Sequence, residues 1–262
     1  MSGPAGLVAR LRAAGCVFAE DEARLLAAAA PTPAALEALV ARRVAGEPLE
    51  HLLGAVEFAG LRVAVGPGVF VPRQRTAALA AGAVAATRAV RGRVPVVVDL
   101  CCGTGAVGLV LAAAVAPVEL HAADVDPAAV AWARRNLGPV GGVVHEGDLF
   151  DALPAGLRGR VDVLVANAPY VPTGALGLLP PEARLHEPRT ALDGGEDGLD
   201  VHRRIAGGAP GWLAPGGQLL VEVGREQAPV LAGVLARAGL RASARPPEED
   251  GTTVVTARRA GS

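Results

Sequence analysis

Apolar positions along the chain change period twice. From Leu7 to Leu53 they recur every three or four residues, as in Leu7, Val8 and Leu11, then Leu25 and Leu26, with Asp21, Glu22 and Arg24 on the polar side. That spacing predicts amphipathic helices. Pro31-Thr32-Pro33 ends one of them, and Thr32 is placed to cap the next, which runs through Leu36, Leu39 and Val40 until Gly46-Glu47-Pro48 breaks it. Between Gly54 and Pro72 the period falls to two. Val56 and Phe58, then Leu61, Val63 and Val65, alternate with polar or small residues about Ala59-Gly60, which predicts a β-hairpin. Gly66-Pro67-Gly68 and the extended run Val69-Phe70-Val71-Pro72-Arg73 follow and read as a hinge.

Beyond the hinge, strand and helix patterns alternate. Helices are predicted over 76–90, 106–115, 127–137, 199–213 and 227–238. Strands are predicted over 94–100, 118–124, 143–145, 161–166, 218–223, 240–244 and 252–257, with a long loop after 166. Such alternation implies an α/β fold with a mostly parallel, seven-stranded sheet covered on both faces. Three parts are expected: a small helical domain over 1–53, a hairpin and hinge over 54–75, and the α/β domain over 76–262. The helical part suits either substrate docking or a plain structural role.

The most informative stretch is the strand that begins at Val161. Five apolar residues, interrupted only by Asp162, break into Asn167-Ala168-Pro169-Tyr170. Pro169 cannot donate to a ladder and biases Ala168 away from the helical region, so the strand ends there. Asn167 then stands at the carboxyl end of a central strand, where open α/β sheets place ligands. Alone, the tetrapeptide reads equally as a polar turn with a capping aromatic.

A second motif raises the functional reading: Asp99-Leu100-Cys101-Cys102-Gly103-Thr104-Gly105, at the end of another apolar strand. Glycines there let the backbone approach a ligand, and the following helix offers free N–H groups. Asp124 ends the next strand, nineteen residues after Gly105, and is placed to accept both hydroxyls of a ribose. That pairing alone suits NAD as well. The shorter, phosphate-poor turn and the Asn-Ala-Pro-Tyr together resemble the two signatures of an amino-group methyltransferase that uses S-adenosylmethionine (SAM). Asp148, ending the third strand, could bond an adenine amino group with Leu149 covering the ring, or simply cap a turn.

An Asn-x-Pro-Tyr suits methyl transfer to a planar nitrogen, a poor nucleophile because its lone pair is delocalised. The Asn167 side-chain oxygen and the Ala168 carbonyl could each accept one N–H and aim the nitrogen at the methyl group. The Tyr170 ring would pack the flat group in place. Proximity and orientation then supply most of the rate.

Composition removes several other chemistries. With 51% hydrophobic and 19% charged residues the chain can bury a large core, and its net charge of −1 gives no electrostatic case for a nucleic-acid or anionic-membrane partner. All 25 basic residues are arginine, consistent with a GC-rich genome. The absence of lysine excludes a Schiff-base mechanism and a P-loop. Cys16, Cys101 and Cys102 form no C-x-x-C pair, and His51, His121, His145, His186 and His202 fit no metal spacing, so neither a disulfide framework nor a metal is expected. Met1–Gly6 lacks the layout of a signal peptide, and the run 77–87 is too short to span a bilayer. A cytoplasmic monomer is expected.

The flanking sequence makes the resemblance specific. Gly46-Glu47-Pro48-Leu49-Glu50-His51-Leu52-Leu53-Gly54, Phe58-x-Gly60-Leu61 and Val71-Pro72-Arg73 resemble the N-terminal signature of the HemK-type protein-(glutamine-N5) methyltransferases. Glu187-Pro188-Arg189-Thr190-Ala191-Leu192-Asp193-Gly194-Gly195, Asp197-Gly198-Leu199-Asp200, Pro215-Gly216-Gly217 and Glu222-Val223-Gly224 are similar to that family too. The likeness runs from about Leu39 to the C-terminus. It implies a Rossmann-like class I SAM-dependent methyltransferase acting on a glutamine side chain of a release factor or ribosomal protein. It also implies a cofactor site of Asp99, Cys101, Cys102, Gly103, Thr104, Gly105, Asp124, Asp148, Leu149 and Asn167, and a catalytic Asn167-Ala168-Pro169-Tyr170. The chain departs from the family's pattern at three places. Ala168 replaces the first proline of Asn-Pro-Pro-Tyr, Pro72-Arg73-Gln74-Arg75-Thr76 replaces Pro-Arg-Pro-Glu-Thr, and Cys101 replaces the first glycine of the cofactor turn. N-methylation of a small molecule or nucleobase, and a non-catalytic SAM-binding module, are the competing readings.

Overall fold

Helices α1 (Pro4–Ala13), α2 (Ala19–Ala29), α3 (Pro33–Val44) and the short α4 (Leu49–Leu53) open the chain in a computed structural model that describes residues 4–244 and 252–261. The first three residues of the Met1–Gly6 stretch lie outside the described residues. Thr32 caps α3 as its position predicts, its Oγ1 accepting from the Ala35 N–H at 3.2 Å. Leu7, Leu11, Ala19, Leu26 and Val40 give these helices a hydrophobic cluster of their own. One buried arginine stitches the group together: Arg43 pairs with Glu22 of α2 at 2.6 Å and with Glu182, far along the chain, at 2.6 Å.

The hairpin follows as β1 (Ala55–Phe58) and β2 (Leu61–Ala64). Its inward residues Phe58 and Val63 join the core of the α/β part rather than that of the helices. Asn136 holds it there, accepting from the Ala64 N–H at 2.9 Å and donating to the Ala64 carbonyl at 2.9 Å and the Thr104 carbonyl at 2.8 Å.

The remaining elements are α5 (Ala77–Arg88), β3 (Val96–Leu100), α6 (Ala106–Ala114), β4 (Glu119–Asp124), α7 (Pro127–Leu137), β5 (Val143–Glu146), β6 (Val161–Ala166), α8 (Pro181–His186), α9 (Asp200–Trp212), β7 (Leu213–Gly224), α10 (Ala228–Arg237), β8 (Arg241–Ala244) and β9 (Thr252–Arg258). The sheet has the expected seven strands in the order β5-β4-β3-β6-β7-β9-β8, parallel from β5 to β7, with β9 antiparallel to both neighbours. Alternate residues of β6 serve opposite faces. Val163 and Val165 meet Leu79, Leu111 and Leu137 from α5–α7, whereas Leu164 and Ala166 meet Ile205, Trp212 and Leu231 from α9 and α10. Asp162, the one charge in β6, is buried against Arg93 at 2.6 Å and the Val96 N–H at 2.9 Å.

Strand order reverses at β3. The chain moves outward through β4 to β5, then returns to β6 on the other side. Leu100 pairs with Ala123 of β4 and with Ala166 of β6. Cys101, Asp124 and Asn167, each the next residue on its strand, therefore emerge side by side at this switch point.

Two segments differ from the periodicity reading. The loop after β6 contains α8, hidden in the sequence because Pro180-Pro181 reads as a breaker. At the first helical position a proline is well tolerated. Strand β7 starts at Leu213 rather than 218 and runs through Pro215-Gly216-Gly217. The chain absorbs those residues as an irregularity, the β6 register jumping from Val161↔Leu213 to Val163↔Gln218.

Candidate active site

The turn after β3 is built from left-handed residues: Cys101 at φ +53°, Gly103 at +54° and Gly105 at +75°. That conformation favours glycine. Gly105 needs it doubly, because a Cβ there would lie 2.9 Å from the Leu137 side chain. At Gly103 a Cβ would meet nothing within 4 Å, so this part of the turn faces open space. Two carboxylates hold the turn. Asp99 Oδ2 accepts from the Gly108 N–H at 3.1 Å, tying the strand end to α6. Asp124 accepts from Gly103 N at 2.8 Å through Oδ2 and from Asp126 N at 3.0 Å through Oδ1. Burial pushes the Asp99 carboxyl up to about 7 and raises Asp124 as well, against the backbone donors that favour its charged form.

At the other half of the site, Asn167 donates from Nδ2 to Thr76 Oγ1 at 3.4 Å. Ala168 is buried, and its N–H and carbonyl bond to nothing among the described residues. Gly194 packs so closely on this segment that a Cβ would lie 2.7 Å from the Pro169 carbonyl. The Gln227 amide donates to the carbonyls of Tyr170 at 2.8 Å and Asp197 at 3.0 Å. The Tyr170 hydroxyl donates to Glu222 Oε1 at 3.3 Å, and burial, reinforced by that carboxylate, pushes its pKa up to about 12. A neutral phenol is thus held in place at any physiological pH.

These halves face one cavity of about 400 Å³. Of the residues expected from sequence, Asp99, Cys101, Cys102, Gly103, Thr104, Asp124, Asp148, Leu149, Asn167, Ala168, Pro169 and Tyr170 line it, and Gly105 does not. Gly105 serves packing against α7. Leu149 adopts φ +49° and is buried, while Asp148 pairs with Arg204 of α9 at 2.6 Å. Arg75, in the stretch that departs from the family's pattern, completes the surroundings with Thr76, Glu187, Glu222 and Gln227, to which the sequence reading assigns no role. Thr76, Arg75, Glu187 and Glu222 lie in quoted motifs, but nothing in Gln227's neighbourhood marks it.

The wall suits a cationic cofactor bearing a ribose. Asp124, held among the described residues by backbone N–H groups alone, could offset a sulfonium charge and ends its strand where a diol could reach, and the Gly103 face is open to an adenosyl group. Among the described residues no helix is long and apolar enough to cross a membrane, and no group of three or more His, Cys, Asp or Glu side chains is arranged to hold a metal.

Residues 62–178 match the family model described as "Methyltransferase small domain". The release factor glutamine methyltransferase of Streptomyces coelicolor is 44% identical over 70% of this chain, which spans 65% of that protein, just under two thirds. The one of Geobacter sulfurreducens is 42% identical over 79% of the chain and 71% of its own length. The 4-amino-L-phenylalanine/4-methylamino-L-phenylalanine methyltransferase of Streptomyces pristinaespiralis is 38% identical over 85% of this chain and 77% of its own. Among solved structures, the 16S rRNA N2 G1207 methyltransferase of T. Thermophilus, in complex with AdoMet and guanosine, superposes with a TM-score of 0.56 at 21% identity. It covers 78% of this chain and 49% of its own, a likeness of fold.

Proposed function

Because this chain belongs to the family of release factor glutamine methyltransferases, we propose that it methylates the side-chain amide nitrogen of a glutamine in a protein, a release factor being the first candidate. Its cofactor is SAM. Such a substrate would place the enzyme in the cytoplasm, and we propose that it works there as a monomer without contacting nucleic acid directly.

The observation that carries the proposal is the pair of acceptors at the end of β6. With Nδ2 engaged by Thr76, Asn167 keeps Oδ1 for a substrate N–H, and the Ala168 carbonyl is free to take the second. A primary amide has two N–H groups in one plane, so two fixed acceptors define its position and the face of its nitrogen. Neither oxygen is a base; they orient the nitrogen and leave proton removal to water. The bound cofactor supplies an electrophilic methyl group. We assign Asp124 to the ribose, Asp148 and Leu149 to the adenine, and the Cys101–Thr104 turn to the remainder. Tyr170, fixed by Glu222, flanks the flat acceptor group. We assign the helices before Gly54 to docking of the protein substrate.

An aromatic amine presents the same two coplanar N–H groups and the same delocalised lone pair. The similarity to the 4-amino-L-phenylalanine methyltransferase makes methylation of such a small molecule the second reading. The purified protein, added with labelled SAM to extract of cells lacking the gene, separates the two. Label in a protein band, mapped by mass spectrometry to a glutamine, is expected; label confined to small molecules would reject the first reading.

A further inference from the structure

Charged side chains on the cavity wall are matched by close partners, with one exception. Arg73 meets Glu187 at 2.6 Å, Arg204 meets Asp148 at 2.6 Å and Glu182 meets Arg43 at 2.6 Å. Asp99, Asp124 and Asp126 accept backbone N–H groups at 2.8–3.1 Å. Arg75 is different. Its one ion-pair partner among the described residues is Glu222, at 3.7 Å from Nε, and the same Glu222 oxygen already accepts the Tyr170 hydroxyl. The Arg75 side chain is 37% exposed, whereas Glu222 is buried beneath it. With a long contact to Glu222 and a hydrogen bond to the Tyr170 side chain, the guanidinium still keeps part of its donor set for whatever enters the cavity.

Its position is as telling as its valence. Arg75 immediately precedes Thr76, the hydroxyl that bonds Asn167, and hydrogen-bonds the Tyr170 side chain. A ligand group touching Arg75 lies at the Thr76–Asn167–Tyr170 end of the cavity, beside the acceptor nitrogen on the reading proposed above. Guanidinium groups present a planar fork that matches a carboxylate with two parallel hydrogen bonds.

We propose that Arg75 is a specificity residue that reads a carboxylate on the substrate next to the nitrogen being methylated. This rests on the reading of Asn167 and Ala168 as the acceptor site. A carboxylate can reach Arg75 from an acidic residue flanking the target glutamine or from the α-carboxylate of a free amino acid. Charge-assisted contacts of this kind change binding roughly tenfold to a hundredfold.

The test uses the full chain and two matched pairs of acceptors. One pair is a glutamine peptide with glutamate or glutamine beside the target; the other is 4-amino-L-phenylalanine and its carboxamide. Binding to the complex with S-adenosylhomocysteine and kcat/KM with SAM are measured for the wild type, Arg75→Gln and Arg75→Lys. In at least one pair the carboxylate member should be preferred roughly tenfold or more, through KM and affinity rather than kcat. The preference should vanish in Arg75→Gln and return in part in Arg75→Lys. The pair that shows it identifies the source of the carboxylate. Equal handling of both members, or a preference that survives Arg75→Gln, overturns the proposal alone. Acceptors that bind with the preference but are never methylated overturn the acceptor-site reading instead, and acceptors that neither bind nor react overturn both.

Discussion

The Nδ2 of Asn167 and the Oγ1 of Thr76 lie 3.4 Å apart, joining the end of β6 to the residue that precedes α5. On the proposed acceptor site, the contact sets which end of the Asn167 amide faces the substrate, since a nitrogen spent on a hydroxyl leaves the carbonyl oxygen for a substrate N–H. Thr76→Val keeps the shape and removes the acceptor. Its single-turnover rate should fall roughly threefold to tenfold, the worth of one neutral hydrogen bond, with SAM affinity nearly unchanged. Thr76→Ser should retain the rate. Equal losses in both variants would mean that packing, not the hydroxyl, matters here.

Asp124 fixes Gly103 through one oxygen and, on the proposed assignment, holds the ribose. Removing a charged hydrogen-bond partner costs about 1.5–3 kcal/mol, so Asp124→Ala should weaken SAM binding tenfold or more. Calorimetry on the folded variant checks this, and unchanged affinity would remove Asp124 from the site.

Asp99 makes the stability of the protein without cofactor depend on pH. Its carboxyl titrates near neutrality in the folded chain because burial disfavours the charge, whereas in the unfolded chain it titrates at the ordinary carboxylate value of about 3.9. Below that value the group is protonated in both states and costs nothing. As pH rises from about 4 to about 7 only the unfolded chain ionises, so stability falls, by at most roughly 4 kcal/mol. Asp99→Asn keeps an acceptor for the Gly108 N–H and removes the ionisation. The variant should lose this slope and be the more stable protein at about pH 8, as read by urea midpoints. A variant with the wild-type slope would show that other groups produce it.

How far the site could be read before the fold was known depends on the range of each contact. Asp99, Asp124 and Asn167 are legible because strand periodicity places each at a strand end, and parallel strands deliver their ends to one edge. Thr76, Glu222 and Gln227 act across 91, 52 and 57 residues; Thr76 and Glu222 lie in family-like motifs, but no local pattern tells which residue each of the three meets. The same holds for Phe58. Its alternation with Val56 marks a hairpin, yet only the fold shows it buried in the α/β core. Chain beginning at Thr76 would therefore lose a core residue, and a truncation at Gly54 is the cleaner separation of helices from enzyme.

The two adjacent cysteines should respond oppositely to the same substitution. Cys101 adopts φ +53°, a conformation costing a side-chain-bearing residue about 1–3 kcal/mol. Cys102 has no such strain and is buried in the cluster with Leu111 and Val165. Cys101→Gly should leave stability unchanged or raise it by about 1 kcal/mol, relief of strain offsetting lost packing. Cys102→Gly should cost about 1–2 kcal/mol from lost burial and added chain entropy. Urea denaturation of both variants gives the comparison, and a larger loss at 101 than at 102 would contradict the account of the turn.

The altered tetrapeptide provides the sharpest test of the amide clamp. If the acceptor is oriented by Asn167 Oδ1 and by the carbonyl of residue 168, the side chain at 168 is nearly irrelevant. Alanine and proline present the same backbone oxygen, and the Ala168 N–H donates to nothing among the described residues, so a proline there forfeits no hydrogen bond. Ala168 is buried, and the ring must fit against its neighbours, which sets the limit on how well the exchange is tolerated. Ala168→Pro should keep activity within about tenfold. Asn167→Ala removes a positioned polar group from the reacting centre, a change typically worth about 10²–10³ in rate. That loss should fall on turnover rather than on SAM affinity, because the contact is made to the acceptor and not to the cofactor. Single-turnover methyl transfer with SAM binding measured in parallel resolves the two. An active Asn167→Ala beside an inactive, folded Ala168→Pro would place the acceptor on some other pair of atoms.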